Sequence, residues 1–216
     1  MVFDLEKEAL TASGLRDEDQ IRDYLRKLDC LSRQFNLGGA HDLSISTRAE
    51  MLFDALWKDK PHRYKPRGHF RLNQVIDAQL SKKMRTVGNC LGLTLLYNCL
   101  LKKIGIEAEA LHLKNAFGLG PHVLTVLRID DFMIDVENIL PNGFAFKGHK
   151  QDPCRLIWGD QELVADIYQS RGTEFFEKGE FREALRNYEM ALRLNPRYQK
   201  AELNRAIVFE RMKTNG

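Results

Sequence analysis

Between Cys90 and Ile104 the chain is apolar on nearly every side, with Leu91, Leu93, Leu95, Leu96, Leu100 and Leu101 distributed around the whole helical circumference. A helix of this kind has no face to offer water and must be buried. It is also shorter than the ~18–20 residues that cross a bilayer, so it belongs at the centre of a soluble domain. Gly88 breaks the chain before it, Asn89 is a good N-cap, and Gly105 is a natural C-terminal stop. Everything else in the chain has to be arranged around this helix.

What precedes it reads as helical. Asp17 with Gln20 resembles a capping box, and Ile21, Tyr24, Leu25, Leu28, Leu31 and Phe35 follow at helical spacing until Gly38 and Gly39. Thr47 with Glu50 gives a second capping box, and Met51, Leu52, Ala55 and Leu56 mark an apolar face that Pro61 ends. Leu72, Val75, Ile76 and Leu80 fit a further helix. Strand patterns begin only after the buried helix, at 107–113, 122–128 and 132–137. Helices first and sheet afterwards imply an α+β domain, with a connecting loop over 146–160.

A chain of 216 residues accommodates one large domain, or one domain with an appendage. From Val164 onward helical periodicity returns without any strand signal, which places a boundary near Asp160 and divides the chain into residues 1–160 and 161–216. In the second part Tyr168, Gly172, Phe175, Gly179, Phe181, Ala184, Tyr188, Ala191 and Pro196 follow the tetratricopeptide spacing position by position. Ala206 and Phe209 restart the same phase, giving about one and a half repeats. At least ~3 repeats are usual for independent stability, so this tail must lean on something, with Trp158 as a contact at the junction.

The N-terminus is acidic where a secretory signal would be basic, and no apolar run is long enough for a membrane; the expectation is a cytoplasmic protein without a membrane partner. Cys30, Cys90, Cys99 and Cys154 are widely spaced, with neither a Cys-x-x-Cys pair nor a His-Glu-x-x-His run. That pattern suggests no metal site, no disulfide framework and no cofactor. The net charge is only +3, which argues against nucleic acid as a partner, and the basic stretch from Lys58 to Arg71 reads as a solvated loop.

Among the cysteines Cys90 is distinguished by position. In the first turn of a helix, unpaired backbone N–H groups and the helix dipole favour a thiolate, and the same groups can hold an oxyanion. Cys99, in mid-helix, lacks both. His122 opens a strand directly after the loop Phe117-Gly118-Leu119-Gly120-Pro121, where it can serve as a base; His112 is the reserve for that role. Strand alternation can put Asp135 on the face of His122. If Asp130 and Asp131 formed a tight turn, Asp135 would lie opposite Val126, too far away, so a looser turn is expected. Asn73, Gln74 and Gln79 each remain open as a second oxyanion donor, and the loop from Lys114 to Pro121 is the natural lid.

Gly88-Asn89-Cys90-Leu91-Gly92 opening a helix, Gly120-Pro121-His122-Val123-Leu124 opening a strand, and Met133-Ile134-Asp135-Val136 on the next together resemble the transglutaminase-like superfamily, whose fold is related to papain. With Tyr64-Lys65-Pro66 and Leu72-Asn73-Gln74-Val75-Ile76 ahead and the tetratricopeptide tail behind, the chain is similar to the SirB1-like branch. The resemblance implies Cys90 as nucleophile, His122 as general base and then acid, and Asp135 as the group that fixes the imidazole. It implies an amide substrate, in a protein or peptide, and a thioester intermediate that passes to water or to an amine. That branch often lacks the cysteine, so a second expectation is a non-catalytic interaction module on the same fold, binding a protein partner or a second copy through the helical tail.

Overall fold

The computed structural model describes residues 3–35, 42–129 and 132–214; Gly38, Gly39 and the expected turn at Asp130 and Asp131 lie outside the described residues. Five helices come first: α1 (Leu5–Ala12), α2 (Glu18–Gln34), α3 (Ile45–Asp59), α4 (Leu72–Leu80) and α5 (Cys90–Lys103). They are followed by β1 (Glu109–Leu113), β2 (His122–Ile129), β3 (Phe132–Val136) and β4 (Leu156–Trp158), then α6 (Asp160–Glu177), α7 (Phe181–Leu194) and α8 (Gln199–Thr214). The fold is thus mixed, with an antiparallel sheet that comes, in chain order, between two runs of helices.

α5 is the buried helix. Every residue from Leu91 to Leu101 is inaccessible. Asn89 caps it by accepting from the Gly92 amide, and its C-terminus closes with Ile106 N–H to the Leu101 carbonyl and Gly105 N–H to that of Lys102. Gly105 takes φ +73°, which a residue with a Cβ resists, and so ends the helix cleanly. At α2 the side chain of Asp17 accepts from the amides of Asp19 and Gln20. At α3 the cap is Ser44, three residues before the expected Thr47: Ser44 Oγ accepts from the Thr47 amide, and the helix starts at Ile45.

The sheet runs β3-β2-β1-β4, antiparallel throughout. α5 crosses the face presented by Val123, Thr125 and Leu127, and a buried polar network fixes it there. Thr125 donates to Asn98 Oδ1 (2.6 Å), Thr94 donates to the Val123 carbonyl (3.2 Å), and Asn138 Nδ2 reaches Thr125 Oγ1 (2.9 Å). Such a network holds three elements in one register because each buried polar atom lacks water as an alternative. From β3 at one edge the chain returns to β4 at the other, crossing the opposite face of the sheet, with Phe146 N–H on the Asp135 carbonyl. The short strand β4 lies within the expected connecting loop.

The basic stretch is only partly solvated. Arg63 is buried, and Lys60 turns inward to the carbonyls of Ser81 (2.5 Å) and Met84 (2.9 Å). Arg71 pairs with Glu174 of the tail. The tail itself packs on the first part of the chain: Leu163, Val164, Ala165 and Ile167 of α6 belong to the same hydrophobic core as Leu5, Leu10, Leu72 and Leu100. No helix among the described residues is long and apolar enough to cross a membrane.

Candidate active site

Thr94, one turn beyond Cys90, holds the Val123 carbonyl, so the N-terminus of α5 lies at the mouth of β2, where His122 begins. There the Cys90 side chain neighbours the His122 imidazole and is one of the groups that raise its pKa. Cys90 is half-buried, and Cys99 is fully buried in the core, where desolvation pushes its thiol well up. Asn89 accepts from Gly92 through its side chain and from Leu93 through its carbonyl, which leaves the amides of Cys90 and Leu91 as the uncommitted donors of the first turn.

The carboxylate beside His122 is Glu137. His122 Nε2 lies 2.8 and 2.9 Å from its two oxygens. With Nε2 so committed, Nδ1 is the nitrogen available to the sulfur of Cys90. Glu137 is fully buried and receives a second imidazole, His149 Nε2 at 2.9 Å, as well as the Ile139 amide. Burial opposes charge on both central groups, yet hydrogen bonds reverse it on each. The imidazole of His122, bonded to Glu137 and next to Cys90, is held up at about 9. The Glu137 carboxyl, bonded to His122 and His149, is held below its ordinary value. An ion pair buried in this way persists because both partners are also hydrogen-bonded.

Asp135 does not join them. The observed register pairs Ile129 with Phe132 and Val126 with Asp135, the close register rather than the looser one expected. Asp135 shares the face of His122 but lies four residues along β2, and its fully buried carboxylate is clamped by Arg155 in a two-pronged pair of 2.7 and 2.8 Å. Arg155 also donates to the His149 carbonyl at 2.9 Å, so this pair secures the loop that carries His149. The same alternation that places Asp135 on the face of His122 gives Glu137, two residues on and just past the paired part of β3, the same side, and its carboxylate reaches His122.

Two further residues border the site. Tyr64 is joined to Gly88 by a bridge between backbones, and its phenol is pushed up by burial and then by its nearness to Cys90 and Glu137. Phe117, with φ +53°, leans its ring on His149 (4.8 Å) and His122 (5.8 Å). The suggested oxyanion donors lie elsewhere: Gln79 bonds Asp59 (2.7 Å), and Asn73 and Gln74 line a separate cleft with Tyr24 and Lys27. His112 stands in β1, stacked on Trp158, away from the role of base.

His122, Glu137 and His149 offer one donor atom each within 4.8 Å of one another, a set of two imidazoles and a carboxylate that suits a divalent metal. Their contacts of 2.8–2.9 Å are hydrogen-bond distances. Donors on a tetrahedral ion with bonds of ~2.0–2.1 Å sit farther apart, so a metal would have to spread this cluster.

A tetratricopeptide repeat profile matches residues 165–198, which takes in most of α6, all of α7 and the turn before α8. No curated protein and no solved structure gives a match.

Proposed function

We propose that the chain is a thiol-dependent acyl-transfer enzyme acting on amides, on a domain of the transglutaminase-like kind. The observation that carries this reading is the alignment of Cys90, His122 and Glu137: a sulfur at a helix N-terminus, an imidazole beside it, and a buried carboxylate hydrogen-bonded to Nε2 of that imidazole. The order cysteine, histidine, acid, at the starts of a helix and a strand and just past the end of the next strand, supports the same reading, with Glu137 in the role that the resemblance gives to Asp135.

In the first step the Cys90 thiolate attacks the amide carbonyl carbon, and the oxyanion that forms is met by the free amides of Cys90 and Leu91. His122 Nδ1–H then protonates the leaving nitrogen as the C–N bond breaks, leaving a thioester and a neutral imidazole. Water or an amine attacks the thioester, His122 takes its proton, and the Cys90 sulfur leaves. Glu137 keeps Nε2 protonated throughout, which turns Nδ1 toward the sulfur in both steps. His149 holds Glu137 in place.

Alkylation by iodoacetamide at pH 6, read by peptide mapping, tests the relay without knowledge of the substrate. Cys30 and Cys154 are exposed and serve as internal references. Cys90 is expected to react at least about tenfold faster than either, and His122→Ala is expected to abolish the advantage. Equal rates at the three cysteines, or an advantage that survives His122→Ala, would sink the reading.

The matched repeat favours a second reading, an interaction module in which the tail recruits a protein and the site is packing alone. It predicts no excess reactivity at Cys90 and unchanged function in Cys90→Ser.

A further inference from the structure

On the face of the sheet shared with α6, a groove of about 770 Å³ separates the outer edge of β4 from the start of α8. Its floor is an aromatic stack: Trp158 lies flat on His112 at 4.1 Å and meets Tyr198 edge-on at 5.3 Å. Its walls are apolar and open to solvent, with Leu156 and Ile157 on β4 and Leu203 on α8. β4 pairs with β1 on one side only, so it is one of the two edge strands of the sheet and its outer side is unpaired among the described residues. Such an edge presents backbone N–H and C=O groups that an incoming extended chain can pair with.

The rim is positive. Lys114, Arg197 and Lys200 are all exposed there, and none forms an ion pair among the described residues. Lys114 reaches only the side-chain oxygen of Gln199, at 3.5 Å. The acid that lines the groove, Glu162, is already engaged, accepting from the Gly159 amide to cap α6. Within the groove one buried polar atom has no partner: Nδ1 of His112, a residue only 8% exposed. A buried unsatisfied nitrogen carries a cost that a ligand hydrogen bond removes.

We infer that this groove binds an acidic peptide segment in extended conformation, added as a strand to the free edge of β4. Its apolar side chains pack on Leu156 and Leu203, and its carboxylates meet Lys114, Arg197 and Lys200. A polynucleotide shares the negative charge but fits the groove poorly. Trp158 is 5% exposed with one face on His112, which leaves no ring for a base to stack on, and a sugar-phosphate backbone cannot extend the sheet. Pro121, next to His122, also lines the groove, so a segment held here lies beside the cleft of Cys90. Binding nonetheless needs no thiol chemistry, and it stands independently of the proposed reaction.

Fluorescence anisotropy on the full chain carrying Cys90→Ser tests this. The probes are a labelled peptide of about ten residues alternating Glu with Val, its Lys-for-Glu counterpart, and a labelled oligo-dT of similar length. The acidic peptide alone is expected to bind, and its Kd to rise at least about tenfold both in Lys114→Glu/Arg197→Glu/Lys200→Glu and, separately, in Leu203→Asp. All four positions are exposed, so both variants are expected to melt as the parent does. Equal binding of the basic peptide, binding of the oligonucleotide alone, an affinity unmoved by either variant, or no binding by the acidic peptide each overturns the inference.

Discussion

Two carboxylates two residues apart, Asp135 on β3 and Glu137 just past its end, are both buried, yet only Glu137 touches His122, while Asp135 is spent on Arg155. The two amide substitutions should therefore separate. Glu137→Gln keeps the shape but removes the charge that holds His122 protonated, and it should lower Cys90 alkylation at pH 6 about tenfold. Asp135→Asn leaves Arg155 half-buried and unpaired, so it should cost on the order of 3 kcal/mol in a denaturant titration and spare the reactivity of Cys90. The relay also has a pH signature. His122 is raised from its ordinary 6.5 to about 9, so its contribution to stability is complete below pH 6.5 and is lost as pH rises through 9. Glu137 lies below its ordinary 4.5, so its contribution is present above that value and is lost as pH falls through its lower, folded value. Melting temperature against pH should accordingly fall at both ends, and His122→Ala should flatten the alkaline limb.

At the scale of elements, two glycines set how closely neighbours approach. A Cβ on Gly92 would stand 2.3 Å from the His69 carbonyl oxygen, so this glycine lets the 63–69 segment lie against the first turns of α5. A Cβ on Gly172 would stand 2.5 Å from Cε1 of Tyr188, which is itself buried between α6 and α7. Gly172→Ala should lower the free energy of unfolding by about 1–3 kcal/mol, seen as a lower denaturant midpoint at unchanged slope, with no effect at Cys90. Gly92→Ala should lower stability and Cys90 reactivity together, since the clash is with backbone beside the thiol. Most of this architecture was legible because it rests on local signals: the apolar circumference of α5, the cap at Asp17, and the repeat spacing of small and aromatic residues in α6 and α7. Ser44 was obscured by Thr47, since both are cap-type residues and one bonds the other's amide. β4 has only Leu156, Ile157 and Trp158, too few to show alternation. The register of β2 against β3 rests on side-chain pairing across the sheet, which no spacing specifies, and that register decides between Asp135 and Glu137.

The whole molecule has its tail built into its core. α6 packs on α1, and Leu163, Val164 and Ile167 fill the same cluster as Leu10 and Leu100, while Arg171 donates to the Ala12 carbonyl at 2.7 Å and Tyr198 closes over Trp158. One and a half repeats have too little apolar surface to fold alone, and the first part would expose a wide apolar face without them. The two parts should therefore unfold together. The chain carries only two tryptophans, Trp57 in α3 and Trp158 under the tail, so Trp158→Phe reports the first part and Trp57→Phe the junction with the tail. Denaturant transitions followed by fluorescence in the two variants should each coincide with the loss of helix seen by circular dichroism in the same variant. An early transition at Trp158 that leaves most of the helix signal intact would mean that the tail detaches as a separate unit. In that case the groove against β4 would open and close with it, and occupancy of the groove by a peptide would shift that early transition to higher denaturant.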